Sequence, residues 1–160
     1  MSVDRVPPDV VPPSEAVRAR HHLHVLPIPR AVGEARSFVR ANAPLLVADQ
    51  EAALLLLTSE LVTNAVLHAR TEIDVDLIVT DRYVVVAVHD LDLALPGQAP
   101  YANREGGWGL SIVGAMAESS DLWQRPGGGK TAWFRLSREH APAVPDEAAR
   151  RRDDADRRDS

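Results

Sequence analysis

The sequence predicts an α+β sandwich on a mixed or antiparallel sheet. Two strand-like segments follow each other directly, with only "TDR" between them. A second such pair flanks "GGG" near the end, and two helix-like segments sit together ahead of the first pair instead of alternating with strands. Strands adjacent in sequence argue against a repeated βαβ unit with a parallel sheet.

The elements follow in order. Residues 1–20 hold four prolines and no periodic pattern, and read as a disordered N-terminal tail. "HHLHVLPI" (21–28) reads as a short edge strand. In "RAVGEARSFVRANA" (30–43), Val32, Ala35, Phe38 and Val39 recur at helical spacing, and Pro44 ends the helix. A second helix is predicted from Ala48 to His68, apolar almost all round as a buried helix is. "TEIDVDLIV" (71–79) alternates strictly, with Glu72, Asp74 and Asp76 on one side and Ile73, Val75 and Leu77 on the other, the mark of a half-buried strand. The β-branched run "YVVVAVHD" (83–90) predicts a more buried strand beside it. A long polar loop runs from Leu91 to about Gly107, and residues 108–119 are helical by pattern. "DLWQRP" and "TAWFRLS" form a final hairpin around the glycines. Residues 138–160 mix both charges with almost nothing to bury and read as a disordered C-terminal tail. One domain, 21–137, remains between the tails.

Composition narrows the function classes. Hydrophobic residues make up 45% of the 160 and aromatics 4%, so the core is aliphatic. A net charge of -5 without a basic stripe disfavours nucleic-acid binding. There is no cysteine, which excludes disulfides and thiol chemistry. No apolar run approaches the ~18 residues of a membrane span, and no basic-then-apolar leader opens the chain. A soluble, cytoplasmic protein with no membrane or nucleic-acid partner is the expectation.

Four features carry chemistry. From Ala52 to Ala69 the only fully charged side chain is Glu60, with Asn64 and His68 following at intervals of four. Positions four apart share a helix face, so the three form one stripe, fit for a wet cleft or for a polar seam tying the helix to a loop. Asp90 ends the buried strand where a long loop begins, a ligand-facing position and equally a turn aspartate. "GGWGL" (106–110) sets glycines ahead of a helix, where backbone N–H groups can approach an anion. "GGGKT" (127–131) is not a phosphate-binding P-loop. The position five before Gly129 is Gln124 rather than Gly, and a strand rather than a helix follows.

The order of these features resembles the Bergerat-fold (GHKL) ATPases, and within them the small bacterial anti-sigma-factor serine/threonine kinases. "SELVTNAVLHA" (59–69) looks like the N-box, "VHDLDLALP" falls at the first glycine box, "GGWGLSIV" at the second and "GGGKTAWFRL" at the third. The resemblance covers about residues 25–137. It implies a two-layer sandwich, a mostly antiparallel sheet covered by helices on one face. Asn64 would bind Mg²⁺, and Glu60 would be the catalytic acid acting as general base or water organiser. Asp90 would read adenine, with Thr131 near the same edge. Gly107, Gly109 and Leu110 would contact the nucleotide, residues 97–106 would form a lid over ATP, and Arg104 could reach the phosphates from it. His68 fits the box's "HA" ending as a packing or hydrogen-bonding residue. Implied partners are an anti-sigma-factor antagonist of the STAS type, a sigma factor and a second copy in a homodimer. One departure stands out: the first box lacks both glycines of its Asp-x-Gly-x-Gly pattern, Asp92 and Ala94 taking their places. That departure supports the alternative of a non-catalytic nucleotide-binding or partner-sequestering module. A purely structural role for the polar stripe is the third reading.

Overall fold

The computed structural model describes residues 5–93 and 116–138. Strand β1 (Val17–Val25) leads into helices α1 (Arg30–Asn42) and α2 (Ala48–Asn64), and then come β2 (Ile73–Thr80), β3 (Tyr83–Asp90), β4 (Ser119–Gln124) and β5 (Lys130–Ser137). The five strands form one antiparallel sheet in the order β1-β2-β3-β5-β4. Both helices pack on one face of it, which makes the two-layer sandwich.

Local chemistry sets the boundaries. Pro29 has φ near -54°, already helical, and α1 begins at the next residue. Ala43 is extended (ψ 150°), as a residue before proline must be, so α1 stops there. Asp49 and Glu51 lie in the first turn of α2, where the helix dipole favours acids. At its other end α2 widens into a π turn, Ala65–Ala69, and Arg70 leaves it in the left-handed conformation with φ 53°. The expected helix of 48–68 is therefore α-helical only as far as Asn64.

Alternation decides which side chain meets which layer. Val75, Leu77, Val79, Val84, Val86, Val88, Phe134 and Leu136 face the helices and meet Leu54, Leu57, Leu61 and Val62 of α2. Together α2 and the π turn (Ala48–Ala69) are long and apolar enough to cross a membrane by length and composition. This corrects the expectation that nothing of span length was present; several of these side chains are nevertheless buried against the sheet, as in a core helix.

The N-terminal region also departs from expectation. β1 begins at Val17, inside the residues read as a tail, and ends at Val25, ahead of Pro27, which has no N–H for a ladder. It is the edge strand foreseen for this region. Residues 5–16 lie across the other face of the sheet, where Val6 and Val10 are buried with Ile78, Val85, Ala87 and Trp133. The physical reason is that two valines spaced among prolines can cover a small apolar patch without any periodicity of their own. Asp76, expected on a solvated side, is buried on this face beside His89 and His22. Burial, the largest influence, pushes its carboxyl up, but hydrogen bonds from His89 and His22, and their charge, bring it below the ordinary value. Arg138, at the start of the expected C-terminal tail, is bonded to Arg82 and Thr80; residues 139–160 lie outside the described residues.

Candidate functional site

The last turn of α2 and the end of β3 meet at one end of the sandwich. The π turn packs against β3, and just beyond it the Thr71 hydroxyl accepts a hydrogen bond from the Leu91 N–H at 3.0 Å. Glu60 and Asn64 lie one turn apart at this end of α2, both half-buried. Among the described residues neither side chain has a hydrogen bond or ion pair. Two neighbouring polar side chains are occupied internally: Thr58 and Ser59 donate to the carbonyls of Leu54 and Leu55. Neither Glu60 nor Asn64 is among the buried side-chain atoms left without a partner, so their polar ends are open to solvent and available to a ligand. The π turn directly after Asn64 adds to this, since single π turns recur at functional sites. His68, within it, is half-buried and has a partner.

Asp90 is 5% exposed at the mouth of β3. Its Oδ1 accepts the Asp92 N–H at 2.9 Å and lies 3.2 Å from Lys130 Nζ. Lys130 Nζ also reaches Asp92 Oδ2 at 2.9 Å. Oδ2 of Asp90 has no partner among the described residues and remains to accept a hydrogen from a ligand. Burial pushes the Asp90 carboxyl above its ordinary value, and this outweighs the opposing pull of Lys130.

Thr131 is not beside Asp90. β3 and β5 pair His89 with Thr131 and Asp90 with Lys130. Successive strand side chains point to opposite faces, so Asp90 and Lys130 share the helix face while His89 and Thr131 share the other. There Thr131 Oγ1 donates to the Arg5 carbonyl oxygen at 2.7 Å and lies 2.7 Å from His89 Nδ1. Thr131, expected near the adenine edge, thus has its side chain on the sheet face opposite that of Asp90. Lys130, one position earlier, was missed by the sequence reading and is the residue that meets Asp90.

The glycines between β4 and β5 turn the chain at positive φ, and Gly129 (φ +81°) does more. A Cβ there would collide with the Asp90 carbonyl oxygen and with the Arg125 guanidinium that donates to it. The third box thus sets its backbone directly against Asp90. Gly129→Ala is expected to cost on the order of 1–3 kcal/mol, the range for a strained backbone, and to displace Asp90. A lowered thermal midpoint together with weakened nucleotide binding checks it; an unchanged midpoint would show that the two backbones separate freely. Gly107, Gly109, Leu110, Arg104 and the expected lid 97–106 lie outside the described residues, as does most of the helix expected over 108–119.

Residues 27–136 match the histidine kinase-like ATPase domain family. The chain belongs to that family. As a histidine kinase-like ATPase domain it is an ATP-binding module, and the match nearly coincides with the residues over which the four boxes were read. Among solved structures it is similar to the RsbU and RsbW domains of Rv1364c from Mycobacterium tuberculosis, at 22% identity and a TM-score of 0.54. That likeness covers 76% of this chain and 33% of the other, so the ATPase domain spans about a third of the length of that protein chain. It supports the shared fold. No curated protein sequence matches the chain.

Proposed function

We propose that this ATPase domain is a regulatory protein kinase that transfers the γ-phosphate of ATP to a serine or threonine of an anti-sigma-factor antagonist. The observation that carries the reading is the partnerless pair Glu60 and Asn64, one turn apart at the end of the sandwich that also holds Asp90. Asp90 Oδ2 accepts the adenine amino hydrogen. Glu60 takes the proton of the attacking hydroxyl, or orients it, as the general base. Gly107, Gly109 and Leu110 would contact the nucleotide, as the resemblance implies.

Asn64 offers a side-chain oxygen, the donor type that Mg²⁺ prefers. The described residues contain no group of three or more His, Asp or Glu able to hold a metal. Asn64 would hold a cation beside nucleotide phosphates and water, and the cation would supply neutralisation of phosphate charge. The antagonist would be of the STAS type, and a sigma factor and a second copy of the chain would be further partners, in the cytoplasm.

A second reading has its own observation. Lys130 ties Asp90 to Asp92 where the family pattern has glycine. A restrained loop suits a module that holds nucleotide, or a partner protein, without turning ATP over. Incubation with γ-labelled ATP, Mg²⁺ and candidate antagonists separates the two. Label on the antagonist that depends on Mg²⁺ supports the kinase; Mg²⁺-independent ATP binding with no label on any antagonist supports the binding module.

A further inference from the structure

One departure from the family pattern at the base pocket, Asp92, meets an opposite charge. Asp92 stands at the first missing glycine, and Lys130 reaches it at 2.9 Å while lying 3.2 Å from Asp90 Oδ1. The Lys130 side chain is only 8% exposed, and these two carboxylates are partners that help to hold its ammonium there. Its place is fixed from behind, because Gly129 brings the β5 backbone against the Asp90 carbonyl. We propose that Lys130 is the specificity-determining residue of the base pocket: by binding Asp92 and one oxygen of Asp90, it holds Asp90 as a hydrogen-bond acceptor and so selects a base that presents an amino group. This rests on the reading of the site as a nucleotide pocket.

The chemistry is a matter of donor and acceptor. An ionised carboxylate accepts from an exocyclic amino group, as on adenine. A protonated carboxyl can instead donate to a carbonyl oxygen, which guanine presents at the same position. Burial drives Asp90 towards the protonated form, and the Lys130 charge opposes it. Among the described residues, the charged groups around Asp90 are Lys130 on β5, Asp92 on the loop after β3 and Arg125 before the glycine turn; the π turn packed on β3 carries His68. Lys130 thus does two jobs. It restrains a loop that glycines would leave free, and it keeps the reading group in its accepting state.

The ratio of ATP to GTP affinity tests this, because titration of the shared phosphates cancels in it. Calorimetry between about pH 4 and 8 on the full chain gives the ratio for wild type, Lys130→Met, Lys130→Arg and Asp92→Asn, with folding followed by circular dichroism. Lys130→Met is expected to lower the ATP preference about tenfold and to move the pH at which it fails upward. Lys130→Arg restores the preference. Asp92→Asn removes a like charge that raises the Asp90 carboxyl, so it moves that pH downward. The opposed shifts separate a charge effect from mere loss of packing. A folded Lys130→Met with the wild-type ratio and pH profile overturns the proposal. If that variant does not fold, Asp92→Asn decides: an upward shift, or none, overturns it. Wild-type protein that binds neither nucleotide overturns the pocket reading and this inference with it, whereas ATP preference in wild type with no effect of the variants overturns this inference alone.

Discussion

Glu60→Gln lowers phosphate transfer by a factor of about 10²–10⁴, the share a positioned general base contributes, and leaves ATP binding nearly unchanged. The split follows from where Glu60 sits. It lies one helical turn before Asn64, half-buried, with no hydrogen bond or ion pair among the described residues. No internal bond is lost on substitution, and glutamine keeps its size and shape. Stability should therefore stay within about 0.5 kcal/mol, as for changes away from any buried network. The removed property is the capacity to take a proton. Single-turnover transfer to the antagonist, set beside calorimetric ATP binding, measures both halves. Transfer at the wild-type rate would mean that Glu60 is not the base. Loss of ATP affinity in step with rate would mean that it organises the cleft instead.

Much of this architecture is legible in the sequence, and the places where it is not have physical causes. β3 reads correctly from its β-branched run, and β2 from its strict alternation, because each writes its period directly into residue type. α2 reads from its apolar length, but nothing in "NAVLHA" signals the change to a π turn after Asn64, since that depends on how the helix end packs on β3. The start of β1 is hidden because Arg18, Arg20, His22 and His24 occupy alternate positions in a segment whose partners lie far along the chain, Asp81, Asp74 and Asp76 among them. The covering of the sheet by Val6 and Val10 leaves no local pattern at all. Order and spacing single out Glu60, Asn64 and Asp90, and the structure sets them at one end of the sandwich. A motif letter alone does not say which face Thr131 takes; strand parity sets it opposite Asp90. Parity, applied to Asp90 and the third box, exposes Lys130. So does the coincidence of an acid where a glycine is missing and a base beside the glycine turn.

Asp90→Asn weakens ATP binding by roughly 10- to 150-fold, the equivalent of losing one charge-assisted hydrogen bond, yet leaves the protein no less stable at neutral pH. The first half rests on geometry. Oδ1 is engaged by the Asp92 N–H and Lys130, so recognition falls to Oδ2, and the amide replaces a charged acceptor with a neutral group that can also present N–H. The second half rests on linkage. Burial raises the Asp90 carboxyl above its ordinary value despite Lys130. A carboxyl whose folded value is raised takes up protons on folding, so stability falls as pH climbs from its unfolded value near 4 through its folded value, and the loss persists at neutral pH. The neutral amide does not carry that penalty, and Lys130 retains Asp92 at 2.9 Å as its partner. Thermal melts of both proteins across this pH window, with ATP titrations at neutral pH, test the two halves separately. Unchanged ATP affinity would remove Asp90 from base recognition. A lower melting point at neutral pH would mean that the Lys130 pairing outweighs the burial of Asp90 and that the carboxylate is held for stability. A protein that binds less ATP but melts no earlier would identify Asp90 as a group kept for its ligand at the expense of the fold, since a buried charge that does not stabilise its own structure is retained for what it recognises.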